Sequence, residues 1–258
     1  SRLHNKGIMT RPIISGNFAK QPSINLYKIK INYKLPKSDL ITDIVSSGLP
    51  SVAIRIPDHP LTLELLSSLS FPLAAPSANL FGKISPTKAE HVYNQLQGKI
   101  PFILDGGNCK IGIESTIVSF HNNKLQVLRL GGITIDQLYD TVGSRNVVFH
   151  QAEQINAPGQ LKSHYATQTP MLIGDIEELI LKYSDKKLAV LSFEKEYSQI
   201  KNQVVLSKKG DLKEAAQKLF QAMHHLDSLH ADIILTEVFP KTGLGLAIND
   251  RLTRAAYR

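Results

Sequence analysis

The sequence lacks the features that mark secreted, membrane and metal-cluster proteins. Among its 258 residues Cys109 is the only cysteine, which excludes an internal disulfide framework and a thiol-only metal cluster and leaves an inert packed thiol as the expected role. No run of about 18 apolar residues occurs, so no transmembrane helix is expected. The first residues are not followed by a signal-like apolar core, which predicts a cytoplasmic protein.

Familiar nucleotide and nucleic-acid motifs are missing as well. The sequence contains neither a Walker-type lysine loop nor a glycine-x-glycine dinucleotide fingerprint. It also has no zinc-finger spacing and no glycine-flanked aromatic RNA-binding signature. A bound nucleotide would therefore need another kind of pocket. The formal charge of +8 favours an anionic partner, but nucleic acid, nucleotide phosphates and solubility alone all agree with it.

The residues that are present alternate between short apolar strands and helices, which predicts an α/β protein. A chain of 258 residues exceeds a typical single domain, so two domains are expected. We divide it into an atypical start (1–34), a first α/β domain (35–146), a turn-rich linker or flap (147–169) and a carboxyl-terminal α/β domain (170–258). The start shows no sustained periodicity and no initiator Met, and we expect the chain to begin inside a longer gene product.

The carboxyl-terminal domain is the easier one to interpret. Short apolar strands are predicted at Pro170–Ile173, Leu188–Phe193 and Asp232–Leu235, and their alternation with helices predicts a parallel sheet. The helix predicted from Asp211 to about His230 carries a leucine-rich stripe on one face, which indicates core packing. The pair Asp250-Arg251 is interpreted as an ion pair at a helix start.

In the first domain, the apolar run Phe71–Ala75 predicts a buried strand that carries Ser77 and Asn79 just beyond its carboxyl end, where α/β proteins place ligands. A further strand is predicted at Pro101–Leu104. Two capping boxes predict helix starts at Thr87 and Thr134.

Charged and titratable residues of this domain leave alternatives open. Arg55 lies in an apolar strand, Ser51–Pro57, where a guanidinium is costly to bury without an anion. A ligand and the carboxylate of Glu114 are both possible partners. Five histidines on predicted helices or turns are expected to be solvated rather than to act as ligands: His91, His121, His224, His225 and His230.

Several segments together resemble the YrdC-like threonylcarbamoyl-AMP synthases, in their long two-domain form. The segments of the first domain are Ser51–Pro60, Ala74–Asn79, Ser85–Thr87, Leu104–Gly107, Gly112–Val118 and Leu128-Arg129. Those of the remainder are Ala157–Gly159, His164-Tyr165 and Gly243–Leu252. The resemblance implies a YrdC-like twisted mixed sheet with helices, followed by a smaller Rossmann-like parallel α/β domain.

This resemblance implies a nucleotidyltransferase that makes threonylcarbamoyl-adenylate and pyrophosphate from L-threonine, bicarbonate and ATP, with Mg²⁺. The product would serve the threonylcarbamoyladenosine modification of tRNA by partner proteins, and tRNA itself is a further candidate partner. By motif position, threonine would be held by Arg55, Ala75 and Ser115. ATP would be contacted by Ser51, Ser77, Asn79, Ser85, Arg129, His164 and Tyr165. No residue is assigned as a protein nucleophile or as a metal ligand.

One part of the family pattern has no clear counterpart. The family's front segment supplies a Thr-Glu-Thr-like loop, a Lys-x-Arg-Pro phosphate clamp and a histidine near threonine, and Lys6, Arg11 and Pro12 echo the clamp only faintly. This departure predicts a truncated or altered copy of an active synthase. The alternatives are a non-catalytic RNA-binding module and a carbamoyl-transfer relative of hydrogenase-maturation proteins. The absence of acylphosphatase-like and zinc-finger-like segments argues against the second alternative.

Overall fold

The structure, a computed structural model, describes residues 32–46, 48–121, 124–149 and 161–257. These residues group into two compact units. Unit 1 holds the described residues of 32–77 and 115–149, and unit 2 holds 78–114 together with 161–257. Each unit is therefore built from two separate stretches of chain. The predicted α/β class is confirmed, with a mixed sheet in unit 1 and a parallel sheet in unit 2.

The strands and helices alternate along the chain. In order they are β1 (Asn32–Pro36), α1 (Asp43–Ser46), β2 (Ser51–Ile54), α2 (Pro60–Ser67), α3 (Ala89–Leu96), β3 (Ile117–His121), β4 (Lys124–Arg129), α4 (Ile135–Val142), β5 (Val147–Phe149), β6 (Met171–Ile173), α5 (Ile176–Lys182), β7 (Leu188–Ser192), β8 (Gln203–Val205), α6 (Leu212–Ser228), β9 (Ile233–Thr236) and α7 (Leu244–Ala256).

Unit 1 is organised around a five-stranded sheet in the order β2-β1-β3-β4-β5. The β1–β2 and β3–β4 pairs are antiparallel, whereas β1–β3 and β4–β5 are parallel. One face of β3 and β4 presents Val118, Leu125 and Val127 to Leu138 of α4. The alternation of buried and half-buried residues along β4 follows from the two-residue period of a strand, with one face covered by α4. Helix α4 begins with the predicted capping box, because the Thr134 side chain accepts from the Gln137 N–H and the Gln137 side chain accepts from the Thr134 N–H.

Unit 2 is organised around a four-stranded parallel sheet in the order β6-β9-β7-β8. All five residues of the inner strand β7 are buried. Its sequence Leu-Ala-Val-Leu-Ser is a continuous nonpolar run ending in one serine, as expected of a parallel strand covered on both faces. The three strands and the long helix predicted in this part of the sequence are confirmed.

Helix α6 has more buried residues than any other described helix of unit 2. Asp211 caps it through hydrogen bonds from the Lys213 and Glu214 N–H groups, and the stripe residues Leu219 and Met223 are fully buried. Gly112, in the 78–114 stretch, lies so close to α6 that a Cβ there would be 2.0 Å from the carbonyl oxygen of Gln217. Only a glycine allows that approach.

Two predicted strands are wrong. Within the described chain, residues 71–77 form only an isolated bridge at Ala74, because Pro72 and Pro76 on either side cannot donate ladder hydrogen bonds. Residues 101–104 are not in a strand. Phe102 and Leu104 are exposed, and an apolar run alone does not tell a buried strand from an exposed loop.

The capping box predicted at Thr87 is also wrong. The N-cap of α3 is Lys88 and makes no side-chain capping bond. The Thr87 N–H donates instead to Nδ1 of His91, at 3.2 Å.

Candidate active site

Three of the predicted site residues lie at one edge of the sheet in unit 1. The amino-terminal end of β3 is beside the amino-terminal end of β1 and the carboxyl end of β4. The carboxyl end of β2 also lies beside the amino-terminal end of β1. Arg55 directly follows β2, Ser115 precedes β3 by two residues, and Arg129 is the last residue of β4. The topology therefore collects two arginines and a serine at this edge.

The backbone that leads into β3 is fixed by side chains. Nη2 and Nε of Arg129 donate to the carbonyl oxygen of Ser115 at 2.8 and 3.2 Å. The hydroxyl of Thr116 donates to the Ile133 carbonyl at 2.6 Å and accepts from the Ile133 N–H at 3.1 Å. Arg129 and Ser115, which the resemblance assigns to different substrates, are thus joined directly.

Arg55 is exposed, which corrects the expectation of a guanidinium inside an apolar strand. Strand β2 ends at Ile54, one residue earlier, so that Arg55 is beyond the ladder. The alternative partner Glu114 binds Ser85 and Arg251. Arg55 at a sheet edge is an accessible cation suited to a carboxylate ligand.

The other predicted residues of unit 1 are more scattered. Ser51 begins β2 and pairs with Pro36, so it is about 13 Å along the strand from Arg55 at the usual rise per residue. Ala75 and Ser77 are exposed on the irregular segment that follows the bridge at Ala74. The structure brings Arg55, Ser115 and Arg129 to one edge, and Ser51 to the other end of its strand.

In unit 2, Asn79 organises a tight loop. Its Nδ2 donates to the carbonyl oxygens of Leu80 and Lys83 at 2.8 and 3.1 Å, and Gln95 of α3 accepts from the Leu80 N–H. Because the amide nitrogen has two carbonyl partners, the Oδ1 atom is the acceptor end of this side chain. Oδ1 is buried and has no hydrogen-bond partner among the described residues.

The end of the predicted linker pairs with this loop. Lys83 and Ala166 form an isolated parallel bridge, and the Ala166 N–H donates to the carbonyl of Gly82 at 2.8 Å. His164 and Tyr165 immediately precede Ala166 in the chain. Within unit 2, the structure therefore brings together the two segments that carry Asn79, His164 and Tyr165.

Tyr165 is held in an uncommon conformation. Its φ is +63°, a left-handed value that costs a non-glycine residue about 1 kcal/mol or more. The side chain is 1% exposed and its ring is 5.3 Å from the ring of Phe220 and 5.3 Å from the guanidinium carbon of Arg251. The His164 ring meets it edge-on at 4.1 Å. These contacts stabilise a backbone geometry that the residue alone would not favour.

Ser85 belongs to a buried charged network. Its hydroxyl donates to Oε1 of Glu114 at 2.7 Å, and Oε2 of Glu114 accepts from Nε of Arg251 at 2.9 Å. The Arg251 side chain is 0% exposed, and its Nη1 donates to Asp250 at 2.6 Å. Burial lowers the pKa of Arg251, but the charge of Glu114, with Tyr165 and Asp250, outweighs it and raises the pKa above its ordinary value. The guanidinium is therefore charged in the interior of unit 2.

Two histidines expected to be solvated pack together instead. The rings of His91 and His224 stack with centroids 3.8 Å apart, and His91 is 7% exposed. Nε2 of His224 is 3.2 Å from the carbonyl oxygen of Ser85. Burial, followed by the charge of His224, lowers the pKa of His91 to about 4, and burial is also the main reason why the pKa of His224 is lowered. Both rings are therefore neutral near pH 7.

The sequence interpretation missed the role of Arg251, although a signal was present. We interpreted Asp250-Arg251 as an ion pair at a helix start, yet both residues lie well inside α7. Arg251 follows Ala247 and Ile248 at the four- and three-residue spacings of the buried face of that helix. An arginine on an apolar stripe is a buried cation that requires an anionic partner.

Several other sequence predictions concern residues outside the candidate site. Lys6, Arg11 and Pro12 lie outside the described residues. Cys109 is exposed rather than packed. Within the described ranges, no group of three or more His, Cys, Asp or Glu is placed to hold a metal ion, and none of the helices is both long and apolar enough to cross a bilayer.

Comparison with known families gives matches to two adjoining models. The Sua5/YciO/YrdC family, described as telomere recombination, matches residues 27–131. The family described as the C-terminal domain of threonylcarbamoyl-AMP synthase matches residues 133–257. The threonylcarbamoyl-AMP synthase of Bacillus subtilis is 40% identical over 232 residues, covering 85% of this chain and 67% of the relative. The chain belongs to the threonylcarbamoyl-AMP synthase family.

Solved structures of this family agree with the fold. The crystal structure of Pyrococcus abyssi Sua5 complexed with L-threonine superposes with a TM-score of 0.80 at 34% identity, over 88% of this chain and 70% of that one. A Pyrococcus abyssi Sua5 variant, in which a histidine and the tyrosine that follows it are both replaced by alanine, gives a TM-score of 0.79 at 32% identity and covers 88% and 69% of the two chains. The YrdC-like mixed sheet with an additional parallel α/β sheet is thereby confirmed.

The family-model boundary does not coincide with the division into compact units. Ser85 and Glu114 lie in the part matched by the YrdC-type model, whereas Tyr165 and Arg251 lie in the part matched by the C-terminal model. All four belong to unit 2. Residues 161–257 of the C-terminal match thus form one compact unit with a YrdC-type stretch, residues 78–114, whereas residues 133–149 of that match belong to unit 1. The four-part division made from the sequence stays a prediction.

Proposed function

We propose that this chain is a threonylcarbamoyl-AMP synthase that converts L-threonine, bicarbonate and ATP into threonylcarbamoyl-adenylate and pyrophosphate. In the bond-forming step, an oxygen of the carbamate group on the threonine nitrogen attacks the α-phosphorus of ATP and pyrophosphate leaves. Charge builds on phosphoryl oxygens, so positioned donors and cations matter more than a protein nucleophile. This chemistry agrees with a site made of arginines, hydroxyls and amides.

The observation that carries the proposal is the pairing of the Asn79 loop with the linker end in unit 2. The Lys83–Ala166 bridge places His164-Tyr165 against a loop that begins with Asn79 and continues to Ser85. These four residues are the ones that the resemblance assigns to ATP in this unit. Residues that are far apart in the sequence and are all expected to bind ATP therefore lie on neighbouring segments of the fold, as a nucleotide site requires.

We propose that threonine binds at the sheet edge of unit 1. Arg55 offers a planar pair of N–H donors to the threonine carboxylate, which is the usual geometry for an arginine–carboxylate pair. Ser115, with Ala75, would complete the threonine contacts. The Arg129 hydrogen bonds to the Ser115 carbonyl tie the threonine contacts to a side chain expected to bind ATP.

The residues present also fit the Mg²⁺ that accompanies ATP. Asn79 Oδ1 is a buried amide oxygen without a hydrogen-bond partner in the described chain, and amide oxygens are among the ligands of such hard cations. We assign it to the metal side of the triphosphate rather than to a direct phosphate contact, because an acceptor oxygen repels phosphate oxygens. When bound, Mg²⁺ would neutralise charge that develops on the phosphates.

Exchange of radiolabelled pyrophosphate into ATP by the full chain tests the proposal. We expect exchange only when threonine and bicarbonate are both present, and a loss of at least tenfold in the Arg55→Met variant. Exchange without threonine would contradict the proposed substrates. Absence of all exchange, together with salt-dependent tRNA binding and no affinity for ATP, would favour the RNA-binding alternative that the +8 charge suggests. Full activity would refute a truncated, inactive copy.

The destination of the product is part of the same proposal. Threonylcarbamoyl-adenylate is a mixed anhydride that would pass to partner proteins for threonylcarbamoyladenosine formation on tRNA in the cytoplasm. Adding such a partner and tRNA to the exchange assay should consume the adenylate and release AMP.

A further inference from the structure

The buried network around Arg251 joins helix α7 to the expected nucleotide residues of unit 2. Arg251 donates to Glu114, 137 positions earlier in the chain, and Glu114 accepts from Ser85. The guanidinium also lies over the Tyr165 ring at 5.3 Å. The buried guanidinium of Arg251 therefore contacts Glu114, which binds Ser85, and also the ring of Tyr165. Ser85 and Tyr165 are both expected to bind ATP.

Helix α7 holds the linker end at further points. The Arg254 carbonyl accepts from the His164 N–H at 3.2 Å, and Nη1 of Arg254 donates to the Leu161 carbonyl. Asp250 binds both Arg251 and Arg254. The segment that carries His164 and Tyr165 is thus fixed by side chains and backbone of this helix.

The direction of the Ser85 hydrogen bond has a chemical consequence. A serine hydroxyl has one proton, and in Ser85 that proton is donated to the Glu114 carboxylate, which accepts only. The Ser85 oxygen can then only accept further hydrogen bonds. Toward a nucleotide it can therefore receive a hydrogen bond from a ribose hydroxyl or the adenine amino group, but cannot donate to a phosphate.

Resting on the proposed function, we propose that Arg251 and Glu114 are positioning residues that set Ser85 as a hydrogen-bond acceptor for the nucleoside part of ATP and hold Tyr165 beside it. The C-terminal sequence of the family is then a component of nucleotide binding. A network that served stability alone would leave nucleotide affinity unchanged in any variant that folds.

Glu114→Gln in the full chain is the direct test. The amide nitrogen of the new side chain can donate to Ser85. That bond occupies one acceptor position of the hydroxyl and frees its proton, so the oxygen no longer presents only acceptor sites to the nucleotide. We expect the Kd of AMP and of ATP, measured by isothermal titration, to rise about tenfold, the effect of one hydrogen bond to a ligand. The Kd values of threonine and of pyrophosphate should change by less than about twofold, within the scatter of a neutral substitution.

A second serine–glutamate–cation set in unit 2 provides a matched control. Ser207 donates to Glu214 at 2.6 Å and Lys218 donates to the same carboxylate at 2.5 Å, but none of these residues is expected to touch a substrate. Glu214→Gln should leave all four Kd values unchanged. Arg251→Lys, which keeps the charge but loses the planar fork, should weaken AMP and ATP binding as Glu114→Gln does.

Hydrogen exchange in nucleotide-free protein gives a second readout. In Glu114→Gln we expect faster exchange confined to residues 79–88 and 161–168, with residues 188–206 unchanged. Equal AMP affinity in Glu114→Gln and Glu214→Gln, or a parallel loss of pyrophosphate binding, would overturn the inference while the proposed function stands. Failure of the wild-type chain to bind either AMP or ATP would instead overturn the proposed function, and this inference with it.

Discussion

The two units place their expected ligand residues in opposite environments. In unit 1, Arg55 is exposed at the sheet edge, and Ala75 and Ser77 are exposed on the irregular segment after Ala74. In unit 2, Ser85 and Tyr165 are 7% and 1% exposed and belong to closed polar or aromatic networks. An exposed side chain can bind a ligand while contributing little to stability, whereas a buried and hydrogen-bonded one also contributes to stability. Function and stability should therefore separate in unit 1 and be coupled in unit 2.

The helices show the same contrast. Helix α2 of unit 1 has no buried residue, and Leu63 within it is 44% exposed. Helix α6 of unit 2 has seven buried residues, including Leu219 at 0% exposure. This difference between the two helices can be measured.

The largest expected effect compares these two leucines. Leu219→Ala should lower the free energy of unfolding by about 2–5 kcal/mol, because it removes a fully buried side chain and leaves a cavity. Leu63→Ala should lower it by about 0.5 kcal/mol or less, as an exposed substitution. Urea denaturation followed by circular dichroism measures both. Equal losses would contradict the contrast between the helices.

A second effect follows from the buried histidine pair of unit 2. Since the pKa of His91 is lowered to about 4, the unfolded chain binds the extra proton below about pH 6.5 and the folded chain does not. The free energy of unfolding should therefore decrease as the pH falls from about 6.5 to 4, by about 2–3 kcal/mol from this group. Above about pH 7, the free energy of unfolding should not depend on the protonation of His91.

Urea denaturation across this pH range checks the sign. His91→Gln should flatten the dependence, whereas His225→Gln, at an exposed position of the same unit, should leave it as in the wild type. A flat wild-type profile between these pH values would show that the stacked pair tolerates protonation.

Arg55 tests whether threonine binding and stability are independent of each other in unit 1. Arg55→Met should raise the Kd of threonine tenfold or more, about 1.4 kcal/mol, while the free energy of unfolding changes by about 0.5 kcal/mol at most. Titration calorimetry and urea denaturation on one preparation give both values. A substantial loss of stability would mean that Arg55 has a structural partner.

The smallest expected effect is at the start of α4. Thr134→Ala removes a capping box of unit 1 and should cost about 1 kcal/mol of unfolding free energy. Thr134→Ser retains the oxygen and should cost much less. If both substitutions cost the same, the lost methyl contact rather than the cap would explain the effect.

The sequence predicted well the elements whose stability is local. The Thr134 capping box, the buried stripe of α6 and the parallel strands of unit 2 depend on spacing along the chain, and all are confirmed. The predicted strand at 71–75 failed because Pro72 within it and Pro76 directly after it outweigh apolar composition. The threonine and ATP assignments stay predictions, since no ligand contact tests them.

Contacts between distant residues were not predictable in this way. Glu114 and Arg251 are 137 positions apart, and Ser85 and His224 are 139 apart, so no local pattern joins them. The sequence offered only indirect signs, such as an arginine on the apolar face of α7. Residue types indicated the chemistry, while the fold determined which side chain meets which.

The discontinuity of unit 2 has a consequence for synthesis on the ribosome. Residues 78–114 leave the ribosome well before α7, and at about 5–20 residues per second the intervening stretch takes roughly 7–28 s to be made. During that interval Glu114 has no Arg251 to bind, and for most of it Gly112 has no complete helix α6 to lie against. The loop expected to bind the nucleotide therefore matures only once a much later segment has emerged. A pause in translation before α7 would prolong a state in which that loop is open to chaperones and proteases.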